Sequence, residues 1–334
     1  MTDTIKPSLT EIALTSNNAM IMGVGGGGDV ILTIPLANYL ELLGVENIVV
    51  GGVSSQWWNP EGGSRVDNFV IGPKVYDVTK LENAELWAPL VAGVNPKSRY
   101  DIYRPAEAAV SEAVPWDVFI GGLSQGVVGL RDSLNQLIAE WNIDLFIGAD
   151  IGAHSFHDGQ ETSPPFTTLV SLMSLSAMIQ LDCPVVFGFA GYTCDAEMEI
   201  EELDERVGRI MRAGGYLGAY GLTQKDVRDY LAACEAFPDP IEPFVAHAAR
   251  GDFGLKRIPV MAPWGRRAYI TPLSSIYMFL DPQIMVNEVS TGVEALKETR
   301  SMAEAERIYQ EVIGQFPETR VKRVINFVRE DEEE

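Results

Sequence analysis

The chain has 334 residues, 46% of them hydrophobic, enough to build one large domain or two smaller ones around a substantial core. It carries 47 acidic against 25 basic residues, a formal charge of -22. That balance argues against non-specific binding to nucleic acid or to an anionic membrane, and any anionic ligand must be met by local basic groups or a metal.

Ala19-Met20-Ile21-Met22 predicts a strand. Five glycines follow within Gly23–Asp29, then a helix-like run from Val30 to Leu43 ending at Gly44, then a second apolar run, Asn47–Val50. Strand, glycine turn, helix and strand open a parallel α/β unit. Glycines let the backbone approach a ligand closely, and free N–H groups at a helix start favour an anion. Gly25, Gly26, Gly27, Gly28 and Asp29 are therefore candidate ligand-binding residues. A tight turn without a ligand, with Asp29 capping the helix, is the plainer alternative. Gly23, Gly25 and Gly28 match GxGxxG, but the second strand ends Val50-Gly51-Gly52-Val53 without the acid that a dinucleotide fold places there.

Residues Gln56–Arg104 interrupt the pattern and read as a long excursion over the ligand edge, with Arg65–Ile71 as a strand pair. Trp57 and Trp58 could stack on a planar ligand or simply be buried. Lys97, Arg99, Arg104 and Arg131 are the basic groups available to an anion.

Val118–Gly121 predicts a strand, followed by a turn and a helix through about Trp141. Gly122, Ser124 and Gln125 in that turn are further ligand-binding candidates, expected beside the first glycine loop. Gly122-Leu123-Ser124-Gln125-Gly126 also matches GxSxG formally, which keeps a serine hydrolase open. His247, its conceivable partner, sits in a helical run where packing is the expected role.

Ile143–Gly148 predicts a buried strand, and the loop from Asp150 to Pro164 leaves its carboxyl end. Ligands of open parallel sheets bind outside that edge. The loop holds two of the three histidines, so Asp150, His154, Asp158 and Glu161 are candidate acid–base residues. Asp150, His154, His157 and Asp158 are candidate metal ligands, with Mg²⁺ as a candidate cofactor, although the spacing matches no standard zinc signature. Loop chemistry is the alternative: Asp158-Gly159 is a turn pair, and Ser163 before Pro164 is an N-cap for a helix to about Leu181.

Pro184–Phe189 is the next strand; helices are expected over Met198–Ala213, Thr223–Ala236 and Ile241–Arg250. Arg267–Ile270 leads through Thr271–Ser274 into a short helix ending near Asp281-Pro282. Strands apolar throughout are those covered on both faces. The expected fold is a doubly wound, mostly parallel Rossmann-like α/β sheet with a helical cap or insertion over 195–250, forming one domain over 1–290. A helical extension and an acidic tail, Glu330–Glu334, occupy 291–334. Cys183, Cys194 and Cys234 form no CxxC pair, Met1–Thr10 lacks a signal-peptide core, and Leu169–Leu181 is too short to span a bilayer. A cytoplasmic location is expected.

Gly23–Asp29, Asp150-Ile151-Gly152 with Asp158-Gly159-x-Glu161-x-Ser163-Pro164, and Thr271-Pro272-Leu273-Ser274 leading to Phe279-Leu280-Asp281-Pro282 together resemble the DUF1152 family, largely archaeal proteins of undefined function. The resemblance spans roughly residues 17 to 285 and implies a Rossmann-like fold and an archaeal cytoplasm, with no activity to carry over. Family members often look Gly-Gly-Asp-like after the strand-end aspartate, whereas this chain has Gly152-Ala153-His154; His154 stands where that second acid would be.

The function expected from the sequence is an enzyme acting on a small anionic metabolite, phosphorylated or nucleotide-like, a hydrolase or lyase rather than an NAD-dependent oxidoreductase. The alternatives are a non-catalytic small-ligand-binding or assembly protein, and a serine hydrolase using Ser124. No nucleic acid or membrane partner is expected; homo-oligomer formation is open.

Overall fold

The structure is a computed structural model that describes residues 6–56, 69–71, 74–101, 103–161, 168–239, 241–258, 267–314 and 323–325. Trp57 and Trp58, the 65–68 part of the expected strand pair, the Ser163-Pro164 cap and the acidic tail lie outside these residues.

Helix α1 (Leu9–Ala13) leads into β1 (Asn18–Gly23); a 3₁₀ turn (Gly27–Leu32) runs on into α2 (Thr33–Leu43), and β2 (Asn47–Val53) follows. Short strands β3 (Ser55–Gln56), β4 (Phe69–Ile71) and β5 (Lys74–Val75) precede β6 (Glu85–Ala88) and β7 (Val91–Val94). Next come α3 (Ala106–Val110), β8 (Asp117–Gly121), α4 (Gly126–Trp141), β9 (Leu145–Ile151), α5 (Leu169–Met178) and β10 (Val185–Ala190). They are followed by α6 (Ile200–Arg212), β11 (Tyr216–Gly221), α7 (Gln224–Ala236) and α8 (Pro243–Ala249). A hairpin of β12 (Gly254–Arg257) and β13 (Arg267–Ile270) precedes β14 (Ile276–Leu280), α9 (Pro282–Glu288), α10 (Gly292–Leu296), α11 (Met302–Val312) and β15 (Arg323–Ile325).

Nine strands form one sheet in the order β11-β14-β10-β9-β1-β2-β8-β7-β6. The five central strands, β10, β9, β1, β2 and β8, are parallel. Antiparallel strands extend both edges: β14 on β10 and β11 on β14 at one end, β7 on β8 and β6 on β7 at the other. From β1 the chain builds outwards through β2 and β8, then crosses back to place β9 on the other side of β1. The strand order therefore reverses between β1 and β9, and the crevice outside their carboxyl ends is where an open α/β sheet places its ligand.

The continuous apolar runs follow from burial on both faces. In β1, Ala19 and Ile21 enter one apolar layer, packed by α2, α3, α7 and α8. Met20 and Met22 enter the other, packed by α4, α5, α9, α10 and α11. All four side chains are fully buried; burial of each Met or Ile is worth roughly 1.5–3 kcal/mol.

Three expectations change. The described part of the 56–104 excursion supplies β6 and β7, which extend the sheet at one end. The helix expected to end near Asp281 is strand β14 instead: Ile276-Tyr277-Met278-Phe279-Leu280 is aromatic and β-branched at its start, and it fills the gap between β10 and β11. The 195–250 segment carries α6, α7 and α8 but also supplies an edge strand, β11.

Candidate functional site

The glycine loop leaves β1 at the crevice, tied to the neighbouring strand by Val24 N–H donating to Ala149 O at 2.9 Å. It folds back so that Gly25 N–H donates to Asp29 Oδ2 at 2.5 Å. Gly26 turns with φ +81° and lies against Ser55; a Cβ there would stand 2.6 Å from the Ser55 Cβ. At Gly25 a Cβ would lie 2.6 Å from Asp29 Oδ2, 3.0 Å from Ser171 Oγ on α5 and 3.6 Å from Asp150 Oδ1 on β9. One small residue thus holds open the point where two carboxyl groups and a hydroxyl converge. Gly28 presses on Glu242, whose carboxylate would collide with any side chain at that position.

Asp29, Asp150 and Glu242 are 4%, 0% and 3% exposed. Asp150 accepts hydrogen bonds from Ile151 N–H (3.0 Å), Ser155 N–H (3.1 Å) and the Ser155 hydroxyl. Glu242 shares a hydrogen bond with Asp239, and its Oε2 has no hydrogen-bond partner. From the loop after β10, Asp195 accepts from Ala153 N–H at 2.7 Å and from Glu197 N–H at 3.3 Å. Glu197 in turn pairs with His154 Nε2 at 3.3 Å. The ends of β1, β9 and β10 therefore bring Asp29, Asp150, Asp195 and Glu197 together around His154, and Asp239 and Glu242, at and before the start of α8, stand against Asp29.

Taking carboxylates out of water favours their neutral form. Burial, with repulsion from Asp150, raises Asp29 well above the usual carboxylate range. Burial also raises Asp150, against the pull of His154, and pushes Asp195 up to about 6. Burial and Asp239 raise Glu242 well above its ordinary value. Burial alone would hold His154 down, but Glu197, Asp195 and Asp150 overcome it and push it up to about 10, so this imidazole is a cation at neutral pH.

The second half of the 150–161 loop turns elsewhere. Arg206 on α6 binds Asp158 Oδ1 at 3.0 Å and Glu161 Oε1 at 2.8 Å. His157 Nδ1 lies 3.1 Å from the same Glu161 oxygen, and Asp158 N–H donates to it at 2.8 Å. Burial lowers His157, against the pull of Glu161. Burial would raise Glu161, but the His157 contact outweighs it and holds its carboxyl below the usual range. Of the four acid–base candidates, Asp150 and His154 thus join Asp29, while Asp158 and Glu161 engage Arg206. Among the described residues no three His, Cys, Asp or Glu side chains stand where they could hold a metal, so Asp150, His154, His157 and Asp158 do not assemble as a metal set.

The turn holding Gly122, Ser124 and Gln125 shares the carboxyl edge but is not beside the glycine loop, because β2 lies between β1 and β8. Backbone groups of this turn and of the start of α4 are taken internally. Gly122 N–H donates to Leu90 O at 2.7 Å, and the first amides of α4, Val127 and Val128, donate to Thr299 Oγ1 (3.2 Å) and Thr299 O (3.1 Å). Ser124 and His247 belong with helices packed on opposite faces of the sheet, α4 and α8. The basic groups also sit in local pairs or turns. Arg104 pairs with Glu112, Arg131 with Asp132, Lys97 is in the turn after β7, and Arg99 bridges to Glu82 through its backbone.

Residues 20–321 match the model of a family described as a protein of unknown function, DUF1152. The chain belongs to this family. No curated protein and no solved structure matches it. The match includes the glycine loop and all six carboxylates of the cluster. Four of those, Asp195, Glu197, Asp239 and Glu242, were not anticipated. Asp195 and Glu197 follow the end of β10 and obey the same strand-end rule that singled out Asp150. Asp239 and Glu242 carry no local signal, since only the packing of α8 against the loop brings them in. Among the described residues, no helix is long and apolar enough to cross a membrane.

Proposed function

We propose that this protein is an enzyme that transfers a proton on a small molecule bound at the reversal point between β1 and β9, with Asp29 and Asp150 as the proton-exchanging pair. One observation carries this reading: two fully desolvated carboxyl groups meet across Gly25, and both are held above the usual range. Two such groups titrate as a pair. One keeps its proton at a pH where the other has lost it, which provides an acid and a base side by side. Ser155 and the backbone amides fix Asp150 as the better-stabilised anion, leaving Asp29 as the group that favours its proton.

The surroundings also bear on the ligand's charge. The Gly25 amide is spent on Asp29, and Gly28 faces Glu242. A phosphate at this loop would have to displace the Asp29 carboxyl group from the Gly25 amide and sit beside the anionic Asp150, so the group received here is uncharged or cationic. The reading is tested by incubating the protein with a cell metabolite extract and following depletion and product formation by mass spectrometry. Turnover of at least one metabolite is expected, with loss of about a hundredfold or more in Asp29→Asn and Asp150→Asn. Variants that fold and retain full turnover would overturn it, as would ligand binding without turnover in the parent protein, the outcome belonging to a binding protein.

A further inference from the structure

The second strand ends in glycines and lacks the acid that a nucleoside-binding α/β fold uses there. The structure supplies one from a different element. Glu107, on α3, is 2% exposed and lies against Gly52; a Cβ at residue 52 would collide with its Oε1. Gly52 is thus the opening through which a carboxyl group reaches the end of β2. Glu107 lines a closed cleft with Ser55, Gln56, Tyr76, Tyr100 and Tyr103, which has no room for a water molecule until its side chains move. Three polar atoms in it, Ser55 Oγ, Gln56 Nε2 and Tyr100 OH, are buried without a hydrogen-bond partner, on residues 4%, 6% and 7% exposed. An unmade buried hydrogen bond is costly, and a cluster of three is the signature of groups awaiting a ligand. Ser55 also touches Gly26, so the pocket adjoins the glycine loop.

We infer that this pocket is the ribose subsite of a nucleoside whose 5′ substituent is uncharged or cationic, with Glu107, Ser55, Gln56 and Tyr100 meeting the 2′- and 3′-hydroxyls. The chemistry matches in number and kind. A vicinal diol offers two donors and two sets of acceptor lone pairs; the pocket offers an amide donor, two hydroxyls and a carboxyl group. The 5′ side of a sugar so placed points along Ser55 and Gly26 towards Asp29 and Glu242, which accept an amino or hydroxyl group, while the anionic Asp150 behind them disfavours a phosphate. The inference rests on the proton-transfer reading for where the reacting end lies, but the subsite itself stands on its own residues. Tyr76 stacks on Tyr100 and Tyr103 with centroids 4.6 and 4.9 Å apart, so ligand entry requires the rings to part.

The test is calorimetric titration with adenosine, uridine, 2′-deoxyadenosine, 5′-amino-5′-deoxyadenosine and AMP, with tyrosine near-UV circular dichroism in parallel. Adenosine or uridine should bind with a change in the tyrosine signal. The 2′-deoxy compound should bind about tenfold more weakly, AMP more weakly than the nucleoside, and the 5′-amino compound at least as tightly. Tyr100→Phe and Glu107→Ala should each weaken nucleoside binding about tenfold or more; Tyr100→Phe removes one oxygen and serves if Glu107→Ala fails to fold. Asp29→Asn should keep nucleoside binding, so that failure of the proton-transfer reading shows in turnover alone. Absence of binding by either nucleoside at millimolar concentration, or equal affinity for adenosine and 2′-deoxyadenosine, would overturn the inference, as would unchanged affinity in both folded pocket variants.

Discussion

A single glycine decides which carboxylates meet. Gly25 keeps Asp29 and Asp150 in reach of each other, and Gly52 does the same for Glu107 at the end of the next strand. Glu107 gives a test of burial that needs no ligand. Burial pushes its carboxyl from an ordinary 4.5 up to about 8. The fold therefore favours the protonated acid: this contribution is complete below about pH 4.5 and is lost as pH rises towards 8. Glu107→Gln, neutral at every pH, should lack that slope and gain on the parent by up to roughly 5 kcal/mol between pH 4.5 and 8. Urea unfolding at pH 5, 7 and 8.5 measures it, and parallel stability curves for parent and variant would sink the assignment. Asp150 and His154 were legible in the sequence because they follow a buried strand within a few residues. Glu107 was not, because nothing near it in the chain mentions Gly52; the acid missing from the end of β2 was missing only in one dimension.

At the scale of elements, the strand-end loops divide the work. The loop after β9 is split, its first part facing the crevice and its second part clamped to α6. Arg206, 7% exposed, neutralises both Asp158 and Glu161. Removing one partner of a buried ion cluster leaves the others uncompensated. Arg206→Met should therefore destabilise the protein by about 3 kcal/mol or more, read from the shift in denaturant midpoint at pH 7; a change within 0.5 kcal/mol would show that the cluster is solvated. The sequence put Asp150, Asp158 and Glu161 in one run and gave no sign that a helix some forty residues later would claim two of them. The five parallel strands were readable from their unbroken apolar runs. β14 was not, because five apolar residues between turn signals fit a short helix as well as a strand, and only the vacancy between β10 and β11 decides between them.

For the whole molecule, the boundary expected at residue 290 meets an apolar layer that crosses it. Val293, Leu296, Ala305, Tyr309 and Ile313 share one buried cluster with α4 and α5, and Tyr309 OH reaches Thr168 Oγ1 at 3.0 Å. A fragment of residues 1–290 should lose cooperative thermal unfolding and expose apolar surface to a hydrophobic dye, because it uncovers a flank of the core rather than shedding an appendage. A fragment that unfolds as sharply as the full chain would establish the extension as separate. The charge of -22 read at the outset is compatible with this packing because, among the described residues, the buried acids are concentrated in a few clusters.

The hydrogen bonds from the start of α4 to Thr299 also set an order of events. Val127 and Thr299 are 172 residues apart. A ribosome adding ~5–20 residues per second needs roughly 10–30 s to cover that distance. Throughout that interval the leading turn of α4 is already made while its capping partner does not yet exist. A nascent chain therefore waits with this end of the sheet unsealed until Thr299 has been added.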